Sequence, residues 1–128
     1  MRLSILLLLL STVFCLSMGQ DDIKHVLAWE TITTQLNKLV MAIRKWDVDM
    51  IARLYYFKNG QNVTGVLAEF EGCQFEVEQA HFITRHRIDG FVHSITSYGE
   101  KRKYEAFLTR KATSPTDWNI SMKRLHSK

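Results

Sequence analysis

The chain has 128 residues, with 17 Lys and Arg against 13 Asp and Glu and a formal charge of +4. That length allows one domain with one core, and the mild basic excess lacks the concentrated stripe that nucleic-acid binding requires.

Met1-Arg2, the apolar and small-residue run from Leu3 to Leu16, and Ser17-Met18-Gly19 follow the order of a secretory signal peptide, with cleavage expected before Gln20. The run is shorter than the roughly 20 residues of a membrane-spanning helix. No second long apolar segment follows, so residues 20–128 are expected to form a single exported domain with no membrane span. Removal of residues 1–19 takes away Arg2 and Cys15, leaving a charge of about +3 and Cys73 as the one thiol. Such a chain has no internal disulfide and must rely on apolar packing. Cys73 is either buried or paired with another chain; its place between Phe70 and Phe75 favours burial.

From Asp22 to Trp46 apolar residues recur at steps of three and four (Ile23, Val26, Leu27, Ile32, Leu36, Leu39, Val40, Ile43 and Trp46), which predicts a long amphipathic helix with these residues on one stripe, capped by Asp21 or Asp22. Asp47 is placed to cap a shorter helix with Met50, Ile51, Leu54 and Tyr55 on its inner face. Asn59-Gly60 marks a turn. Val66, Ala68 and Phe70 then alternate with other residues as in a strand ending at Gly72, and residues 75–86 are read as a short helix. Beyond Asp89-Gly90 three alternating runs predict strands over 91–96, 104–109 and 118–123. The last two are joined by the hairpin loop Thr113 to Asp117. The fold class expected is α+β, with the long helix packed against a curved antiparallel sheet. Leu36, Leu39, Val40 and Ile43 are expected to face Phe91, Ile95, Leu108, Ile120 and Met122.

Two N-x-[ST] sequons, at Asn62 and Asn119, become glycosylation sites in an exported chain. Asn62 lies among turn formers and is expected to be exposed, whereas Asn119 falls within a strand. His81, His86 and His93 lack the tight spacing of zinc ligands, so no metal site and no cofactor is expected. A flanked Cys73 is a poor nucleophile. Asp89, beside Gly90 in a turn, is the one loop carboxylate suited to act as a base near strands, and no catalytic residue is assigned. The basic clusters Arg85-His86-Arg87 and Lys101-Arg102-Lys103 are expected at element ends as solvated charge. Were they to meet in space, they would favour acidic glycans or surfaces.

The segments Met41 to Tyr55, Phe70-Glu71-Gly72-Cys73 and the hairpin around Trp118 resemble the nuclear transport factor 2-like superfamily, especially its small secreted members of nematode type. That resemblance implies a cone in which a curved sheet wraps against helices and opens at its wide end. Some members are enzymes of the ketosteroid-isomerase kind, and many bind ligands or partners. It makes Tyr55, Tyr104 and Trp118 candidates for lining a pocket in the concave sheet. It fits a non-catalytic binding module for a small apolar ligand or an extracellular protein, with pairing of two copies through the sheet as an option. Gln61, Val63 and Gly65 also fit Gln-x-Val-x-Gly, the first inhibitory hairpin of cystatins, and make cysteine-protease inhibition the alternative.

Overall fold

The computed structural model describes residues 20–58 and 60–125 as three helices followed by a four-stranded antiparallel sheet. The helices are α1 (Gln20–Arg44), α2 (Val48–Leu54) and α3 (Val63–Phe70). The strands β1 (Gln74–Thr84), β2 (Arg87–Ile95), β3 (Lys101–Arg110) and β4 (Trp118–Arg124) are laid side by side in chain order. The protein is therefore α+β, with the long helix packed on the sheet and chiefly on β1. The leader read at residues 1–19, including Cys15, lies outside the described residues. Among the described residues, no helix is long and apolar enough to cross a membrane.

Helix α1 buries Ala28, Ile32, Gln35, Leu36, Leu39, Ala42 and Ile43. Of the stripe read from the sequence, Val26 and Leu27 are instead exposed beside the face that Ala28 and Ile32 turn to the core, Val40 is half-buried, and Trp46 is exposed beyond the helix end. The helix stops in a Schellman turn: the N–H of Trp46 donates to the carbonyl of Ile43 at 3.1 Å, and that of Asp47 to Ala42 at 2.9 Å. Asp47 then caps α2, accepting from the N–H of Met50 at 3.2 Å, and Ile51, Leu54 and Tyr55 enter the core as read from the sequence. Past Tyr55 the chain runs beside β4, making a parallel bridge to Ile120.

Two segments exchange the expected states. Residues 63–70 are helical rather than extended: Asn62 accepts from the N–H of Gly65 at 2.8 Å, and Val66, Leu67 and Phe70 form an inward stripe. The alternation of Val66, Ala68 and Phe70 is coincidental, because Ala68 is exposed. Residues 75–86 are not a helix; most of them belong to β1. There the pairing with β2 shifts between Val77 and Gln79, so Phe75 and Val77 face inward before the shift and Ala80 and Phe82 after it. A second shift lies between Phe82 and Thr84.

The inner face of β2 also differs from expectation. Ile88, Gly90, Val92 and Ser94 point into the core, and Phe91, His93 and Ile95 lie on the outer face. Gly90 is required there by packing: a Cβ would stand 2.3 Å from the carbonyl oxygen of Gln79 and 2.9 Å from Cδ1 of Ile32. Tyr104, Ala106 and Leu108 of β3, with Trp118, Ile120 and Met122 of β4, complete the inner layer as expected.

Candidate functional site

The interior of the sheet is filled by side chains. Tyr104 and Tyr55 are 1% and 2% exposed, so neither of these pocket candidates lines an open cavity. The Tyr55 hydroxyl accepts from the N–H of Met122 at 3.1 Å and faces its carbonyl, and its ring packs on Phe57. Burial pushes the Tyr55 phenol above its ordinary range. Tyr104 packs its ring on Phe70 and donates to Oε1 of Glu69 at 2.8 Å. Desolvation, reinforced by that carboxylate, pushes its phenol up to about 12. At neutral pH the pair is a protonated donor held on an acceptor, an arrangement that fastens α3 to β3.

Trp118 reaches a shallow cleft of about 210 Å³ shared with Thr31, Thr34 and Thr116. Its carbonyl is buried under donors from Gln35 and Ser114.

The raised phenol of Tyr104 gives a testable pH dependence. The folded state holds this proton more tightly than the unfolded chain, so its stabilising contribution is complete below about pH 10 and is lost as pH rises towards about 12. Thermal midpoints measured across that interval should fall more steeply for the parent protein than for Tyr104→Phe. Parallel slopes would show that this phenol is not linked to folding.

The cystatin-like hairpin is not formed. Gln61 precedes the cap, Val63 opens α3 and Gly65 lies in its first turn. The Asn62 cap closes the backbone into a helix where an inhibitory hairpin would have to be extended. The two sequons also separate. Asn62 is exposed, and its cap uses only the side-chain oxygen, leaving the amide nitrogen outward. Asn119 is 3% exposed with its Oδ1 buried and unpartnered, so a glycan there requires β4 to open. Cys73 is buried, its thiol directed at the Glu69 carbonyl 3.7 Å away, and burial pushes the thiol up.

The remaining candidates disperse. Asp89 is held by Arg87 on the outer face at 2.8 Å. His86 sits in the β1–β2 turn, while His93 donates to Glu78 at 2.9 Å on the outer face. Among the described residues no three His, Cys, Asp or Glu side chains converge as metal ligands. The outer face that would serve for pairing two copies carries ion pairs from Glu76 to Lys101 and from Glu78 to Lys103. Its rings are covered by cations, Lys103 over Phe91 and Lys58 over Phe107.

One concavity is not announced by the sequence. A groove of about 530 Å³ runs between the first turns of α1 and the edge strand β1, lined by His25, Val26 and Trp29 on one side and by residues 78–81 on the other. The helical period sets it up: Ala28 and Ile32 face the core, which leaves Val26 and Trp29 at 44% and 46% exposure on the flank beside β1. The His25 ring spans the gap, its Nδ1 donating to the carbonyl of Ala80 at 3.3 Å, and the His81 ring meets it edge-on at 6.3 Å. At the far lip Glu78 is tied to β2 and β3. Hydrogen bonds from Lys103 and then His93 hold its carboxyl below the usual carboxylate range. The result is an apolar floor with one imidazole pair and one fixed carboxylate, a lining that suits an apolar group carrying a polar end. Its two sides lie about fifty positions apart in the chain, so no local motif signals it. The nearest signal is the presence of Val26 and Trp29 just off the buried stripe. Comparison of the chain with protein-family models, with curated proteins and with solved structures gives no match.

Proposed function

We propose that the protein is a secreted, non-catalytic binding module that takes an apolar group into the groove between α1 and β1. The observation that carries this reading is the groove itself, about 530 Å³, in which Val26 and Trp29 stand exposed. Large apolar side chains gathered at a concavity favour a ligand that removes them from water. The burial of Tyr55 and Tyr104 in the core favours the flank of the helix over the inside of the sheet. Export is supported by the succession of basic, apolar and small residues in the sequence of positions 1–19. A nuclear transport factor 2-like relationship is supported by the long helix, the Asp47-capped second helix and the antiparallel sheet that follows them.

The test is fluorescence titration of the purified protein with N-phenyl-1-naphthylamine, a neutral apolar probe that charge alone cannot retain. Enhancement should saturate in the parent protein and weaken by about tenfold in Val26→Asp or Trp29→Ala, since each removes an apolar wall or adds an unpaired charge. Met41→Asp, an exposed apolar position farther along α1, should bind as the parent does. Equal binding by all of these, or none by the parent, overturns the assignment.

A further inference from the structure

We propose that the end of the sheet opposite the β3–β4 loop is a second binding site, one for a sulfated polysaccharide. The two basic clusters read from the sequence do not meet, because antiparallel pairing puts Arg87 beside Thr109 and Lys101 beside Ile95 at opposite ends of β2. Instead, Lys101, Arg102 and Lys103 converge with Lys123 and Arg124 at the end of β4 and with Lys58 from the segment after α2. These six cations line two adjoining clefts of about 480 and 350 Å³, which share Arg124. Only two carboxylates, Glu100 and Glu69, line the same clefts.

The site has unused capacity for anions. Among the described residues no carboxylate lies within salt-bridge distance of Lys58, Lys123 or Arg124. Arg102 spends a terminal nitrogen on Glu100 at 3.2 Å and leaves its Nε–H buried without a partner. The pairs that Lys101 and Lys103 make with Glu76 and Glu78 are solvent-exposed, so exchanging them for sulfate costs little. Two guanidinium groups in one strip suit the fork-like recognition of sulfate oxygens.

Geometry selects among polyanions. The cations line clefts, so a chain must enter them, which a planar bilayer surface cannot do. An acidic peptide would gain most by adding a strand, but the edge of β4 is already taken. The Tyr56 N–H donates to the Ile120 carbonyl at 2.8 Å, and the Tyr55 hydroxyl engages Met122. A sugar chain needs no strand edge. It gains a stacking face from Tyr98, which stands 97% exposed in the turn just before Lys101.

Sulfated polysaccharides lie outside cells, so the assignment shares the premise of export with the proposed function, but binding by the purified protein does not depend on that premise. The test is calorimetric titration with a size-defined heparin octasaccharide and with its desulfated counterpart. Lys123→Glu/Arg124→Glu should weaken heparin binding by about tenfold or more, and Arg85→Glu/Lys111→Glu, with the same charge change at the other end, by less than about twofold. Tyr98→Ala should weaken it without any change of charge. All four altered side chains in the charge variants are exposed, and circular dichroism checks that each variant folds. Equal losses in the two charge variants would reduce the effect to net charge and overturn the site. So would retention of the desulfated chain, or equal affinity for polyglutamate or phosphatidylserine vesicles. Absence of heparin binding by the parent overturns it outright. The naphthylamine titration of the α1 groove is unchanged by these variants, so the two proposals fail separately.

Discussion

Gln35→Met should destabilise the protein by about 2–4 kcal/mol, and Gln35→Glu by more at neutral pH. Gln35 is a fully buried polar side chain in the middle of the apolar stripe of α1. Its Nε2 donates to the carbonyls of Leu54 and Trp118, both at 2.9 Å, and its Oε1 accepts from the Thr116 hydroxyl. One amide thus ties α1 to the end of α2, the start of β4 and the loop before it. Methionine keeps the volume and removes the donors. The Trp118 carbonyl retains the Ser114 hydroxyl at 2.7 Å, so the principal loss is the Leu54 carbonyl at the end of α2, left in an apolar setting. Glutamate keeps the shape but turns a donor towards two carbonyls into a charge facing them. That carboxyl should therefore be held protonated by the fold, and the variant should gain stability relative to the parent as pH falls. Denaturant unfolding of all three proteins at pH 7 and pH 5 checks both signs. A loss below about 1 kcal/mol in Gln35→Met would mean that water replaces the amide.

Gly90→Ala should cost about 3 kcal/mol or more, unusually much for one methyl group. The added Cβ meets the backbone oxygen of Gln79 at 2.3 Å, and a backbone atom cannot turn aside as a side chain can. The second neighbour, Cδ1 of Ile32, can be removed by mutation. Ile32→Ala should accordingly fail to rescue Gly90→Ala, and the double variant should be less stable than either single one. Rescue would show that the helix, and not the strand pairing at the β1 shift, sets the limit. Thermal unfolding of the four proteins decides between these.

What could be read from the sequence, and what could not, follows from where the periodicity is clean. In α1 the spacing of Ile32, Leu36, Leu39 and Ile43 made the helix and the middle of its inner face legible, whereas Val26, Leu27 and Trp46 lie exposed and the buried Ala28, Gln35 and Ala42 are too small or too polar to be picked out. The α2 cap at Asp47 was legible for the same local reason. In β1 an extra residue between Val77 and Gln79 changes the phase of the alternation, and two short in-phase pieces no longer sum to a strand signal. In α3 the spacing of Val66, Leu67 and Phe70 was masked by Ala68, a residue at home in either state. In β2 the inner positions include Gly90 and Ser94 while the outer ones include Phe91 and Ile95, so hydrophobicity pointed to the wrong face. Phe91 tolerates the outer face because the Lys103 ammonium lies over its ring. The candidate site was the least legible feature, since it forms only when residues 25–29 meet residues 78–81.

The pairing shifts in β1 also bear on how the molecule avoids its own copies. β1 is an edge strand of 11 residues, the longest in the sheet, in a chain whose described thiol is buried and closes no disulfide. A straight edge of that length is a template on which a second molecule can stack and begin a fibril. The two shifts break it into short, differently twisted stretches, and the first turns of α1 sit against the middle one through His25 and Ala80. An incoming strand therefore finds no continuous register to match, and the irregularity that hides β1 in the sequence makes this edge a poor template for pairing with a second molecule.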